Sequence, residues 1–587
     1  MDAQQFLAEF GHIANAPGGV GRLRELVLAL AVSGRLIEQV EVTNDLSSDY
    51  LKKLERELAD YKAKNKYRRT SSDRVTASKL SAPAPTGWIK ARLGQVGVLI
   101  RGVTYNKSVV RNSNELGMTG LFRANNIGAN ISFDDLVYVP SNLVDKEQVL
   151  RTGDVLVAMS SGSKDLVGKA AIVIEDTAYG FGAFCGVFRP MPSLQREFVR
   201  VVMQSPQYRK YVSDQGKGIG INNPTKGHIE DYEFFLPPIY EQSRIVAKVD
   251  ELMALCDKLE AQQQACRALQ NKLHQSTLQA VASSQSPHEL QTNWMRLADN
   301  FGQLFDAPED VDELIAEMNN LAVRGLLVEA SGTTPDLATI KADCSQLRSQ
   351  YISEGVIRRQ KLVGMAECKV IYPNHWAVIA FDEVAVVISG VTKGRDLRGK
   401  QVMVCPYLAV ANVQRGHLKL DGLKSIEIPV DELAKYQVHD GDLLITEGGD
   451  WDKVGRTAIW RGGLANCLHQ NHVFKARVPS GQLLNEWVEL VFNSGIGRDY
   501  FAGASKQTTN LASINATQLR SFALPIPPLN EQQRILSVLS ELTTHYNEWR
   551  HQLNRKQALS VLFATSAVSN LTGITTEEDE PLKATLV

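Results

Sequence analysis

The sequence runs twice through one series of motifs, and this limits the folds open to it. PPIYEQSRI (237–245) returns as PPLNEQQRI (527–535), with Pro237, Pro238, Glu241, Gln242, Arg244 and Ile245 recurring as Pro527, Pro528, Glu531, Gln532, Arg534 and Ile535. FGHIANAP (10–17) is echoed by FGQLFDAP (301–308), and LAVSGRLI (30–37) by LAVRGLLV (321–328). Pro85 and Trp88 match Pro373 and Trp376, VLIRGVT (98–104) matches VVISGVT (386–392), TGDVLV (152–157) matches DGDLLI (440–445), and VGKAAI (167–172) matches VGRTAI (454–459). The offset stays between 287 and 291 throughout. Motifs that keep both order and offset mark a tandem duplication.

Each copy closes on one long helix. A Pro pair can neither continue a strand nor sit inside a helix. After it, no Pro or Gly occurs from Glu241 to Ser286, nor in the second copy from Asn530 to Leu571. Ile245, Leu252, Leu259, Cys266, Leu273 and Ala280 recur every seven residues, with Leu255 and Leu269 at the other seam position. This spacing predicts an amphipathic helix with coiled-coil character, on the order of 60 Å long. Leu542 and Trp549 continue the heptad of Ile535 in the second copy.

A chain of 587 residues exceeds one core and calls for several domains. The net charge is −1, so any nucleic-acid footprint is local and not global. The seven cysteines form no CxxC pair and no Cys/His ligand spacing, which argues against structural zinc and for a reducing compartment. No apolar run reaches membrane-spanning length and MDAQQF does not read as a signal peptide, so the expected location is the cytoplasm.

Each copy divides into three. The expected segments are an N-terminal helical region with a basic arm (1–85), a globular domain (86–236), a central long helix (237–290), a second helical leader (291–373), a second globular domain (374–526), a C-terminal long helix (527–571) and an acidic tail (572–587). The arm at 61–79 carries seven Lys or Arg against one acid, and reads as a solvated linker or a contact to phosphate or a partner chain. The globular domains hold short strand-like runs punctuated by Gly and Asn. Their framework repeats while their loops diverge: 120–130 against 406–416, 160–169 against 447–456, and 217–227 against 505–515. Similar scaffolds with different loops imply similar work on different targets.

Catalytic chemistry is hard to find. There is no GxxxxGK[ST] loop. YGFGAFCG (179–186) lacks the helix and acidic partner of a dinucleotide fingerprint, so its glycines read as strand-edge residues. The Asn/Asp-Pro-Pro-aromatic motif of aminomethylating enzymes is absent, and Asn222-Asn223-Pro224-Thr225 does not satisfy it. Glu367-Cys368-Lys369, with Asp336 upstream, has the spacing of a Mg²⁺ nuclease triplet but occurs once, in a leader expected to be helical. No catalytic residue and no metal ligand is assigned.

The duplicated P-x-x-W entries, the GD-hydrophobic strands (Gly153-Asp154, Gly441-Asp442) and above all PPIYEQSRI and PPLNEQQRI resemble the specificity subunit of type I restriction–modification enzymes. The resemblance implies an α+β fold: two mixed α/β target-recognition domains separated by a pair of long antiparallel helices, related by an approximate two-fold. It implies a non-catalytic subunit that reads a bipartite asymmetric double-stranded DNA target, one half-site per domain. Its implied partners are two modification (methyltransferase) subunits and two restriction (motor and nuclease) subunits. S-adenosylmethionine, ATP and Mg²⁺ are then bound by those partners and no cofactor by this chain.

Arg pairs with guanine and Asn with adenine at base edges, while most contacts go to phosphate. The candidate DNA-binding residues are therefore Arg123, Asn125, Asn126, Lys164, Lys169, Lys217, Asn222 and Asn223 in the first domain. In the second they are Lys393, Arg395, Asn412, Arg415, Lys453, Arg456, Lys506 and Asn510. Asn126/Asn412 and Lys169/Arg456 occupy equivalent positions and suit shared phosphate contacts. Candidates for the helix pair and subunit contact are Glu241, Gln242, Arg244, Ile245, Leu252, Leu259, Glu531, Gln532, Arg534, Ile535, Leu542 and Trp549. Two rival functions stay open: a duplicated protein-binding scaffold without DNA readout, and a self-sufficient methyltransferase or nuclease using the single ExK triplet.

Overall fold

The computed structural model describes residues 10–38, 44–65, 80, 83–128, 130–160, 166–215, 224–284, 287–449, 453–508 and 511–572. The chain forms two compact units, residues 1–267 with 555–587, and residues 268–554.

In the first unit, Ile89–Arg92 pairs antiparallel with Glu233–Leu236, so the start and end of the globular domain are zipped together. Between them lies a four-stranded antiparallel sheet in the order Gly97–Arg101, Cys185–Pro190, Val155–Ala158, Ala170–Ile172. All four residues of Val155–Ala158 are buried, so this strand is covered on both faces. A second sheet joins Val137–Pro140, Met118–Phe122 and Gly180–Phe181. Helices Arg196–Gln204 and Pro206–Gln215 follow, broken at Ser205, whose hydroxyl donates to the Val202 carbonyl.

The second unit repeats this order. Ala377–Ala380 pairs with Ala523–Ile526. The four-stranded sheet runs Val386–Ser389, Val473–Arg477, Leu443–Thr446, Thr457–Ile459, and the three-stranded sheet Lys424–Pro429, Val402–Leu408, Leu468–His469. A further small sheet, Gly448–Gly449 with Leu511–Ser513 and Lys506–Thr508, is added.

Several repeated motifs now have physical reasons. The glycines of VLIRGVT and VVISGVT permit a close approach. A Cβ on Gly102 would lie 2.1 Å from the Gly182 carbonyl oxygen, and one on Gly390 2.2 Å from that of Gln470. In the LAVxG segments the helices Gly19–Val32 and Pro308–Val323 end on Gly34 and Gly325, both left-handed at φ 71° and 73°. Arg35 N–H donates to Leu30 O and Leu326 N–H to Leu321 O, a Schellman closure that satisfies otherwise orphaned carbonyls.

Both leaders then supply one more helix, Asn44–Lys64 in the first and Leu337–Ser353 in the second. The basic arm lies outside the described residues from 66 to 79, as does the acidic tail from 573 onward. Glu367-Cys368-Lys369 lies in an irregular segment and not in a helix. That segment is tied to the second domain by Ala366 N–H to Ser521 O and by Val363 N–H to Asp382. Asp336 caps the helix Leu337–Ser353 through Thr339 N–H at 3.0 Å.

The two long helices are Ile239–Ala282 and Leu529–Thr572. Each begins directly after its Pro pair, and the Pro238 and Pro528 carbonyls accept the first helical N–H groups. The helices pack together. In the first unit Cys256 and Leu259 share a core with Ala564, Ala567, Val568 and Leu571. In the second, Leu278 and Val281 share one with Ile535, Leu539, Leu542 and Trp549. Early residues of one helix thus meet late residues of the other, and the pair is antiparallel.

The expected seam is correct at its start and wrong in phase beyond. Ile245 is buried and Leu252 and Leu259 are partly buried, but Cys266 is exposed and Leu255, Leu269 and Leu273 are 55%, 67% and 58% exposed. The inward face instead follows Val249, Cys256, Gln263, Gln270 and Thr277, with His274 and Val281 beside it. Polar residues are tolerated there because they are bonded. Gln263 donates to the Ala14 carbonyl at 3.0 Å, Gln270 to Asp306 at 3.3 Å, and His274 sits edge-on to Phe305 with Nδ1 3.5 Å from Glu313.

Candidate functional site

The residues that the two copies share are framework. The Trp88 indole N–H donates to Glu241 at 2.6 Å, and that of Trp376 to Glu531 at 2.9 Å. The P-x-x-W and Pro-Pro-helix motifs are thus two ends of one buried contact. Burial pushes the Glu531 carboxyl up, but hydrogen bonds from His375, Trp376 and Ser331 outweigh this and hold it below the usual carboxylate range. Gln242 accepts from Gln195 N–H and donates to the Pro237 carbonyl. Gln532 does the same with Leu484 N–H and Pro527. Glu241, Gln242, Glu531 and Gln532 are thus buried and turned into their own domains. Arg244 is exposed, and Arg534, also exposed, donates to the Glu329 carbonyl. Ile535 is buried and Leu542 and Trp549 partly so, Trp549 against Phe301 and Phe305.

The GD motifs are also structural. Gly153 and Gly441 hold φ 87° and 84°, a conformation suited to glycine. They turn Asp154 and Asp442 inward, each to a two-point pair with an arginine, Arg189 and Arg477. Tyr61 and Tyr351 from the leader helices complete each cluster.

The divergent loops behave differently. In the second domain all three come together. Gln414 of loop 406–416 accepts from Arg456 of loop 447–456 at 2.9 Å, and Gly416 N–H donates to Thr457 O. Gly448 pairs with Ser513, and Ile514 N–H donates to Glu447 O at 2.9 Å, joining loop 505–515 to the same place. Arg415 and Lys453 are partly buried beside this junction.

Other candidates are engaged elsewhere. The Lys393 ammonium lies 4.8 Å over the Tyr407 ring, and Arg395 pairs with Glu432 at 2.5 Å and lies over Tyr436. Asn126 and Asn412 are bonded within their own turns. Asn126 accepts from Arg123 N–H and donates to Asp134 O, while Asn412 accepts from Ala409 N–H and donates to Lys419 O. They recur because each closes the same turn. Arg123 donates to Asp135 O, while Asn125 is exposed and Lys169 partly so. Lys164, Lys217, Asn222, Asn223 and Asn510, and the side chain of Lys506, lie outside the described residues.

Among the described residues no three His, Cys, Asp or Glu side chains gather as metal ligands, and no helix is long and apolar enough to cross a membrane.

The model of the type I restriction modification DNA specificity domain matches residues 85–265 and 373–556, once over each globular domain and the start of its long helix. The chain belongs to this family. It is a type I restriction–modification specificity subunit, the non-catalytic component that determines the DNA target sequence. It is 27% identical over 495 residues to the EcoKI specificity subunit of Escherichia coli K12, covering 83% of this chain and 87% of that protein. It is 23% identical over 571 residues to the E. coli EcoEI specificity subunit, covering 92% and 91%. The crystal structure of the HsdS subunit from Thermoanaerobacter tengcongensis aligns over 85% of this chain and 99% of that one, at 17% identity and a TM-score of 0.36.

Proposed function

We propose that this specificity subunit reads a bipartite asymmetric DNA sequence, one half-site per globular domain. The supporting observation is the split between buried framework contacts, kept in both copies, and the divergent loops gathered at one place in the second domain. The long helices set the distance between half-sites, as dimer geometry does elsewhere. They also carry two modification and two restriction subunits. Leu255, Leu269 and Leu273, leucines that the helix pair leaves exposed, suit such docking. S-adenosylmethionine, ATP and Mg²⁺ belong to those partners, and the assembly works in the cytoplasm. The segments named from sequence act as modules, with 86–236 and 374–526 as the exchangeable readers.

Replacing 86–236 by the corresponding domain of a relative and sequencing methyladenine in the host genome tests this. One half-site should change and the other persist. A change in both halves, or in neither, overturns the reading.

A further inference from the structure

We propose that Glu447 and His472 form the base-reading contact of the second domain, with Glu447 accepting from the exocyclic amino group of a cytosine or adenine. Met159 and Phe184 hold the same place in the first domain. The inference rests on the proposal that each domain reads one half-site.

The equivalence is set by the backbone. Ile445 pairs with Phe474 where Val157 pairs with Gly186 in the first domain. Two residues on, Glu447 N–H donates to His472 O at 2.9 Å where Met159 N–H donates to Phe184 O at 2.8 Å. The flanking turn is also the same, with Thr446 N–H to Arg456 O matching Ala158 N–H to Lys169 O. One backbone device therefore presents a carboxylate and an imidazole in one domain, while in the other it turns Met159 into the core and leaves only the Phe184 ring exposed.

The fold does not need the Glu447–His472 pair. The first domain makes the same backbone bonds without it. The contact, Oε2 to Nδ1 at 3.0 Å, joins side chains that are 28% and 56% exposed. Exposed pairs of this kind add little stability. Its position is the informative part. Glu447 stands where the three divergent loops meet, held by His472 O on one side and by Ile514 N–H on the other. Arg415, Lys453 and Arg456 belong to the same loops.

A carboxylate on a face that meets DNA is repelled by phosphate and stabilised only by a donor. In the major groove those donors are the amino groups of cytosine and adenine, while guanine and thymine present acceptors there. His472 occupies Oε2 and fixes the carboxylate, and Oε1 is directed to no partner among the described residues. In the first domain Phe184, 67% exposed, offers instead the apolar surface that suits a thymine methyl.

The test uses the full chain assembled with its modification subunits. Binding is measured on duplexes substituted one base pair at a time across the target. The wild-type complex must discriminate in both half-sites, and its failure to do so would refute the half-site reading and not this assignment. Glu447→Met keeps the side-chain length and removes the carboxylate acceptor. It should lose about tenfold or more in discrimination at one cytosine or adenine of the second domain's half-site and leave the other half-site unchanged. Phe184→Ala should show the reverse assignment. His472→Gln, which leaves Glu447 in place, is scored the same way, so a folding defect in one variant leaves the question decidable. Unchanged discrimination, or an equal loss on every duplex, overturns the proposal.

Discussion

Arg189 shows how the framework is held at single side chains. Its guanidinium donates to Asp154 through two nitrogens, to Glu147, and to the Val149 carbonyl, all in a site where arginine and aspartate are almost wholly buried. Removing the Asp154 charge leaves the buried guanidinium with the partly exposed Glu147 as its one carboxylate partner. Asp154→Asn should therefore destabilise the first unit by about 3–5 kcal/mol, read as a lower denaturant midpoint with an unchanged slope. His469 is buried in the second unit, its ring nitrogen Nδ1 2.7 Å from the Val473 carbonyl. Burial and the nearby Lys475 push its pKa down to about 3 from 6.5. Between those values the unfolded chain binds a proton that the folded chain does not, so stability falls as pH drops from 6.5 toward 3. Thermal melts across that range should show His469→Gln with a shallower acid loss than the parent. Lys475 has the same sign at the other end. Burial lowers its pKa to about 8 from 10.5, so its unfavourable contribution fades as pH rises through that window.

At the scale of elements, what the sequence revealed depended on whether a residue's role appears twice. The Pro-Pro, P-x-x-W and GD motifs were legible because each is half of a contact made in both copies, such as Trp88 to Glu241 and Trp376 to Glu531. Their purpose was not legible, since the sequence does not say that Glu241 faces its own domain. The long helices were legible from the run without Pro or Gly. Their inward face was not, because leucines at 255, 269 and 273 mimic a seam while Gln263, Gln270 and His274 occupy the real one. Glu447 and His472 escaped notice because loop composition directs attention to Arg, Lys and Asn. The available signal was that Glu447 opens a divergent stretch directly after a repeated strand. The outward leucines yield a prediction. Leu269→Lys with Leu273→Lys should leave the isolated chain's melting within about 0.5 kcal/mol of the parent, as for other surface changes. The same double variant should weaken co-purification with the modification subunit, and undiminished assembly would remove these leucines from the docking surface.

At the scale of the whole molecule, each of the two long helices runs from one compact unit into the other. The first passes from one unit to the other at Arg267–Ala268 and the second at Asn554–Arg555. Each junction is the point at which a helix leaves one unit for the other. Inserting one heptad at each junction keeps every contact within both units and preserves the phase of the seam. It adds about 10 Å at 1.5 Å per residue. DNA rises about 34 Å per 10 base pairs, so the added length corresponds to about three base pairs. The same three base pairs turn the second half-site by about 100° around the duplex, and modification should slow for that reason. The sites that the variant does methylate should keep both half-sites and gain up to three spacer bases, as read from the methyladenine pattern of a host carrying it. An active variant that still modifies only the original spacing would show that the helices do not measure the DNA.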